Sequence, residues 1–79
     1  MHTYEILLNH SPGNDYIRGR ISGVVYVLSG RPKREYAWIW DCELDWTWMF
    51  EASEEQANVI QECLNKMYPN TFVGMRQVE

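Results

Sequence analysis

Between Tyr36 and Phe50 every even-numbered residue is apolar or aromatic: Tyr36, Trp38, Trp40, Cys42, Leu44, Trp46, Trp48 and Phe50. Of the odd-numbered positions, Asp41, Glu43, Asp45, Thr47 and Glu51 are polar, whereas Ala37, Ile39 and Met49 are not. Period-2 alternation of this kind belongs to strands with one buried face. One fifteen-residue strand would be long against a usual length of about five or six, so a hairpin turning at 41–45 fits better. Centred on Glu43, that hairpin sets Trp40 opposite Trp46, Trp38 opposite Trp48 and Tyr36 opposite Phe50. In either form all four tryptophans share one face, which makes a core built around rings.

The flanking sequence supplies more strands and a helix. Thr3 to Asn9 alternates, with Tyr4, Ile6 and Leu8 on one side, the signature of a half-buried strand. Pro12-Gly13 suits a type II turn. Tyr16 to Ser29 is rich in β-branched and aromatic residues and is interrupted by Gly19 and Gly23, so it is expected to be one bent strand or two short ones. Gly30 to Lys33 makes a turn. Ser53-Glu54-Glu55-Gln56 is a capping box, with two acids placed at the positive end of a helix dipole. The helix should run to Met67 or Tyr68 and stop at Pro69, with Ala57, Ile60, Leu64 and Met67 as its apolar stripe. Thr71 to Val78 reads as a last short strand. The expected fold is α+β: a four- or five-stranded antiparallel sheet with one helix packed on one face, in the order β-β-β-(β)-α-β, as one domain over residues 1–79.

Several chemistries find no pattern here. Asp41, Glu43 and Asp45 are spaced like the first ligands of a calcium loop, but Trp46 stands where that loop needs glycine. His2 and His10 are eight residues apart, and zinc would need two further ligands close by. Cys63 falls on the helical core stripe, where a cysteine is usually a small apolar filler. The glycines at 13, 19, 23 and 30 match neither a phosphate-binding loop nor a dinucleotide fingerprint. No metal, no cofactor and no enzymatic activity are therefore expected. Cys42 and Cys63 do not form the even, clustered set of a secreted disulfide scaffold. The first residues lack the profile of a signal peptide, which makes the Asn9-His10-Ser11 sequon incidental. The longest apolar run, Val24 to Leu28, is far below the ~20 residues of a membrane span. A soluble, cytoplasmic chain is expected.

The charge is divided along the sequence, and the overall balance is −4. Residues 16–34 hold Arg18, Arg20, Arg31, Lys33 and Arg34 with no acid, and residues 35–62 hold eight acids with no base. Asp41, Glu43, Asp45, Glu51, Glu54 and Glu55 form a candidate docking face for a basic partner, because such a patch steers encounter and speeds association. The basic run, with aromatics nearby, is an alternative site for single-stranded nucleic acid through phosphate contact and stacking. The acidic overall balance argues against direct nucleic-acid binding. A third alternative is a structural accessory protein that homodimerises through edge strands or an aromatic patch, so that the chain would act as a monomer or a homodimer.

In its layout, from the alternating strands through DWTWMFEASEEQ to the single capped helix, the chain resembles small phage-encoded accessory proteins, including anti-CRISPR and other anti-defence inhibitors. The resemblance is one of type and spans the whole chain without a shared motif. It implies a non-enzymatic inhibitor acting in the host cytoplasm. Such an inhibitor docks on a host protein or nucleoprotein complex, often by occluding a nucleic-acid site.

Overall fold

The computed structural model describes residues 1–9, 14–41 and 45–78. The turn expected at Pro12-Gly13, His10, Cys42 and Glu43 lie outside the described residues. The elements run β1 (His2–Leu8), α1 (Asn14–Ser29), β2 (Ile39–Asp41), β3 (Asp45–Ala52), α2 (Glu54–Met67) and β4 (Phe72–Gln77). The strands form one sheet in the order β2-β3-β1-β4, with every neighbouring pair antiparallel. β1 is thus parallel to β2 with β3 between them, and β3 is parallel to β4 with β1 between them. This is the interleaved, or split, βαβ arrangement.

The fold class is the expected α+β with a four-stranded antiparallel sheet. One element differs: residues 14–29 are a helix, where strand was expected. The residues that suggested a strand also carry a helical period. Ile17, Ile21, Val24, Val25 and Leu28 are spaced i, i+4, i+7, i+8, i+11, and Ile21 and Val25 are completely buried. Valine, isoleucine and glycine are poor helix formers, so this helix owes its stability to the core it covers rather than to local preference. It ends at Gly30, which takes φ +72°, the left-handed conformation suited to glycine after a helix. There the Ser29 hydroxyl donates to the Val25 carbonyl at 2.9 Å.

The Trp-rich segment is the hairpin β2–β3. Trp40 faces Trp46, as the alternation predicts, and Asp41 faces Asp45. Trp38 stacks on Trp48, with ring centroids 5.4 Å apart and planes 18° from parallel. The pairing expected for Tyr36 is displaced by one residue, because Glu35 and not Tyr36 bridges to Phe50. Three residues, 36–38, lie opposite only Trp48 and Met49 between that bridge and the Ile39–Thr47 pair. That count is a β-bulge. It turns the Glu35 side chain toward the helices.

The core comprises even-numbered sheet residues (Tyr4, Ile6, Leu8, Trp48, Phe50, Ala52 and Phe72) together with Ile21 and Val25 of α1 and Ala57, Ile60 and Leu64 of α2. Both helices therefore cover the same face. The buried indole of Trp48 and the half-buried one of Trp38 are both satisfied: Trp48 Nε1 donates to the Tyr36 carbonyl at 2.8 Å and Trp38 Nε1 to Ser22 Oγ at 3.1 Å. The capping box forms as expected, with Gln56 N donating to Ser53 Oγ at 3.2 Å and Ser53 N to Gln56 Oε1 at 3.1 Å. The opposite, odd-numbered face carries Thr3, Glu5, Leu7, Thr47, Met49 and Glu51. Glu5 is only 9% exposed there, set between Met49 and Arg76 in register. Arg76 Nη2 lies 2.7 Å from its carboxylate.

Candidate functional site

The acids expected to form one docking face separate into two groups along β3. Asp45 begins the strand with φ +60° and stands opposite Asp41 in the backbone ladder. Glu51 lies near the other end, opposite Thr3. Its amide donates to the Arg34 carbonyl at 2.9 Å. Six residues of strand correspond to about 20 Å. Asp45 and Glu51 share the odd-numbered face but not a neighbourhood. Glu54 and Glu55 follow Glu51 directly in the first turn of α2, both exposed. Glu51, Glu54 and Glu55 thus gather at the junction of β3 and α2, held there by the Ser53 cap. Among the described residues the ion pairs are Glu5–Arg76, Glu35–Arg31 and Glu62–Lys66, and none of them engages these three.

The basic residues are also redistributed, because α1 is a helix. Residues two apart on a helix point about 200° away from each other, so Arg18 and Arg20 do not share a face. Arg18 turns to the sheet, its guanidinium 3.6 Å from the centroid of the Trp46 ring. Arg20 lies over Tyr16, 5.1 Å from the ring centroid, and donates to the Tyr16 hydroxyl. Arg31, Lys33 and Arg34 remain exposed in the segment between α1 and β2. Arg31 is held near Glu35 and over Tyr26.

Tyr26 of α1 and Glu35 at the bulge form a polar cluster beside the core. The Tyr26 hydroxyl donates to Glu35 Oε1 at 2.5 Å. That hydrogen bond, then burial, then the Glu35 charge raise the Tyr26 phenol, while Arg31 opposes them. The bulge before β2 makes this contact, since it turns Glu35 onto the helix-covered face.

Reading 16–29 as strand also hid a groove between the two helices. It has a volume of about 410 Å³ and an apolar lining that includes Val24, Val27, Leu28, Met67 and Tyr68, with Arg20 at its margin. The signal that could have found it is the i, i+4 spacing of Ile17, Ile21 and Val25. Cys63, expected as core filler, is half-exposed in this groove, its thiol 3.5 Å from the Met67 sulfur. His2 lies within 3.2 Å of the Gln77 amide. Among the described residues no three metal-ligating side chains converge, and no helix is long and apolar enough to cross a membrane.

No family model, curated protein or solved structure matches this chain.

Proposed function

We propose that this chain is a non-enzymatic protein-binding module that presents an acidic end to a basic, nucleic-acid-handling surface of a host protein or nucleoprotein complex. This is the mode of action implied by its resemblance to anti-CRISPR-type inhibitors. The observation that carries the reading is the grouping of Glu51, Glu54 and Glu55 at the β3–α2 junction. Their carboxylates are tied up in no ion pair among the described residues, on a chain of net charge −4. Unneutralised charges on a rigid strand–helix corner would attract a complementary surface at long range and speed encounter more than they slow release. The exposed rings that stacking on single-stranded nucleic acid uses are absent from the odd-numbered positions of β1 and β3, which instead carry Glu5 and Glu51.

The test begins with capture of the partner from the native host, identified by mass spectrometry, followed by association kinetics at two salt concentrations. The triple substitution Glu51→Gln, Glu54→Gln and Glu55→Gln removes the charge and keeps Ser53 and Gln56. Association should slow by about tenfold or more at low salt, with the difference shrinking as salt screens it. Unchanged association at low salt, with the fold intact by circular dichroism, would defeat the acidic-end reading.

A further inference from the structure

We infer that the outer surface of the two helices is a self-complementary interface on which a second copy of this chain docks. The inference rests on residues none of which belongs to the acidic end, so the two readings stand or fall separately. Four large apolar side chains stand out from this surface: Val27 is 84% exposed, Val59 and Met67 51% each, and Leu28 40%. Val27, Leu28 and Met67 line the apolar groove, and Val59 a smaller hollow that shares Cys63 with it. Both open broadly to solvent, which suits a protein surface better than a small ligand, since a small-molecule site encloses most of its occupant.

The identity of the occupant follows from charge and from helix direction. On the outer surface α1 exposes Arg20, Arg18 being turned to the sheet, and α2 exposes Glu62, 3.7 Å from its own Lys66. Arg20 on one half of the helix layer therefore has an exposed acid on the other half to meet in a second copy. The helices run antiparallel, because Gln56 in the first turn of α2 donates to the carbonyl of Ser29 at the end of α1, while Arg20 and Tyr68 share the other end of the groove. A two-fold axis lying along the groove therefore sets α1 of one copy on α2 of the other, twice over. Arg20 then comes within about one helical turn of the partner's Glu62. An isologous contact requires this kind of patch, complementary to itself under a two-fold rotation.

The glycines fit the same geometry. A Cβ added to Gly19 or Gly23 would meet nothing within 4 Å, so packing inside one copy gives no reason for glycine at either place. Both leave the exposed side of α1 low enough for another helix to approach. The area is adequate and modest. Sixteen helical residues span about 24 Å, and two helices side by side at about 10 Å present roughly 24 × 20 Å per copy. The two copies together bury about 1,000 Å², near the lower limit for a specific interface. A reversible dimer with Kd on the order of micromolar is expected at that size.

Sedimentation equilibrium of the full chain from about 1 to about 500 μM brackets that Kd. The weight-average mass should climb from one chain toward two. Val27→Lys, at a side chain the monomer leaves almost wholly in solvent, should give a monomer throughout with an unchanged circular dichroism spectrum. Arg20→Glu and Glu62→Arg should each weaken the dimer about tenfold, and the double exchange should return it to within about threefold of the parent. A parent chain that stays monomeric at the highest concentration overturns the inference. So does a dimer that survives Val27→Lys, or one that the charge exchange fails to restore.

Discussion

Substituting Gly19 and Gly23 with alanine tests the element on which the sequence and the structure differ most. Both residues lie inside α1, where glycine costs about 0.8–1.0 kcal/mol relative to alanine. Neither new methyl group would touch anything within 4 Å, so no packing term opposes the gain in helix propensity. Each substitution should stabilise the protein by about 1 kcal/mol and the pair by about 2 kcal/mol. For 79 residues the unfolding entropy near the midpoint is about 0.17 kcal/mol/K. Each change should therefore raise Tm by about 5–6 °C, and the pair by about 10–12 °C. Thermal and urea denaturation followed by tryptophan fluorescence reads this directly, at nanomolar protein, well below the micromolar Kd expected for association. Gly30 is the internal control: at φ +72° its replacement by alanine should instead destabilise by about 1 kcal/mol. A flat or lowered Tm for the pair, beside a destabilised Gly30→Ala, would refute the helical account of this segment.

Loss of the α2 cap is the second expectation. Ser53→Ala removes the acceptor for the Gln56 amide and should cost about 1 kcal/mol, measured by the same denaturation. The third concerns alkaline pH. Because the Tyr26 phenol is raised in the folded state, its contribution to stability is fully present below the unfolded tyrosine value of about 10. That contribution is lost as pH rises through the higher folded value. Denaturation midpoints measured across this range should fall less steeply in Tyr26→Phe than in the parent, and parallel profiles would show that the Glu35 contact has no effect on stability.

The parts of the fold legible in the sequence are those with strictly local signals. Parity alone placed Tyr4, Ile6 and Leu8 on the core side of β1 and set Trp40 against Trp46. The Ser53–Gln56 box marked the start of α2 to the residue. What escaped depended on contacts made at a distance. α1 consists of residues that favour strands, and its helical form follows from burying Ile21 and Val25 against a sheet made mostly from later sequence. The bulge at 36–38 has no glycine to announce it, and a single inserted residue was enough to shift Glu35 into the place expected for Tyr36. The candidate site inherits both effects. The odd-numbered acids could be assigned to one face from the sequence, but not to its two ends, and the parting of Arg18 from Arg20 follows wholly from α1 being a helix.

The pairing of β1 with β4 reaches beyond the finished structure to how it is made. β1 precedes the other three strands of the sheet in the chain, yet it lies inside the sheet, and its second edge is covered by β4. Contacts such as Glu5–Arg76 join residues 71 apart in the chain, and separations of that size slow folding. While β4 is still in the ribosome, the backbone donors and acceptors on that side of Tyr4 to Leu8 have no partner, and an open edge of this kind recruits other strands. Productive folding of this domain consequently waits until β4 has emerged. A premature stop before Phe72 would leave β1 with one edge exposed to aggregation.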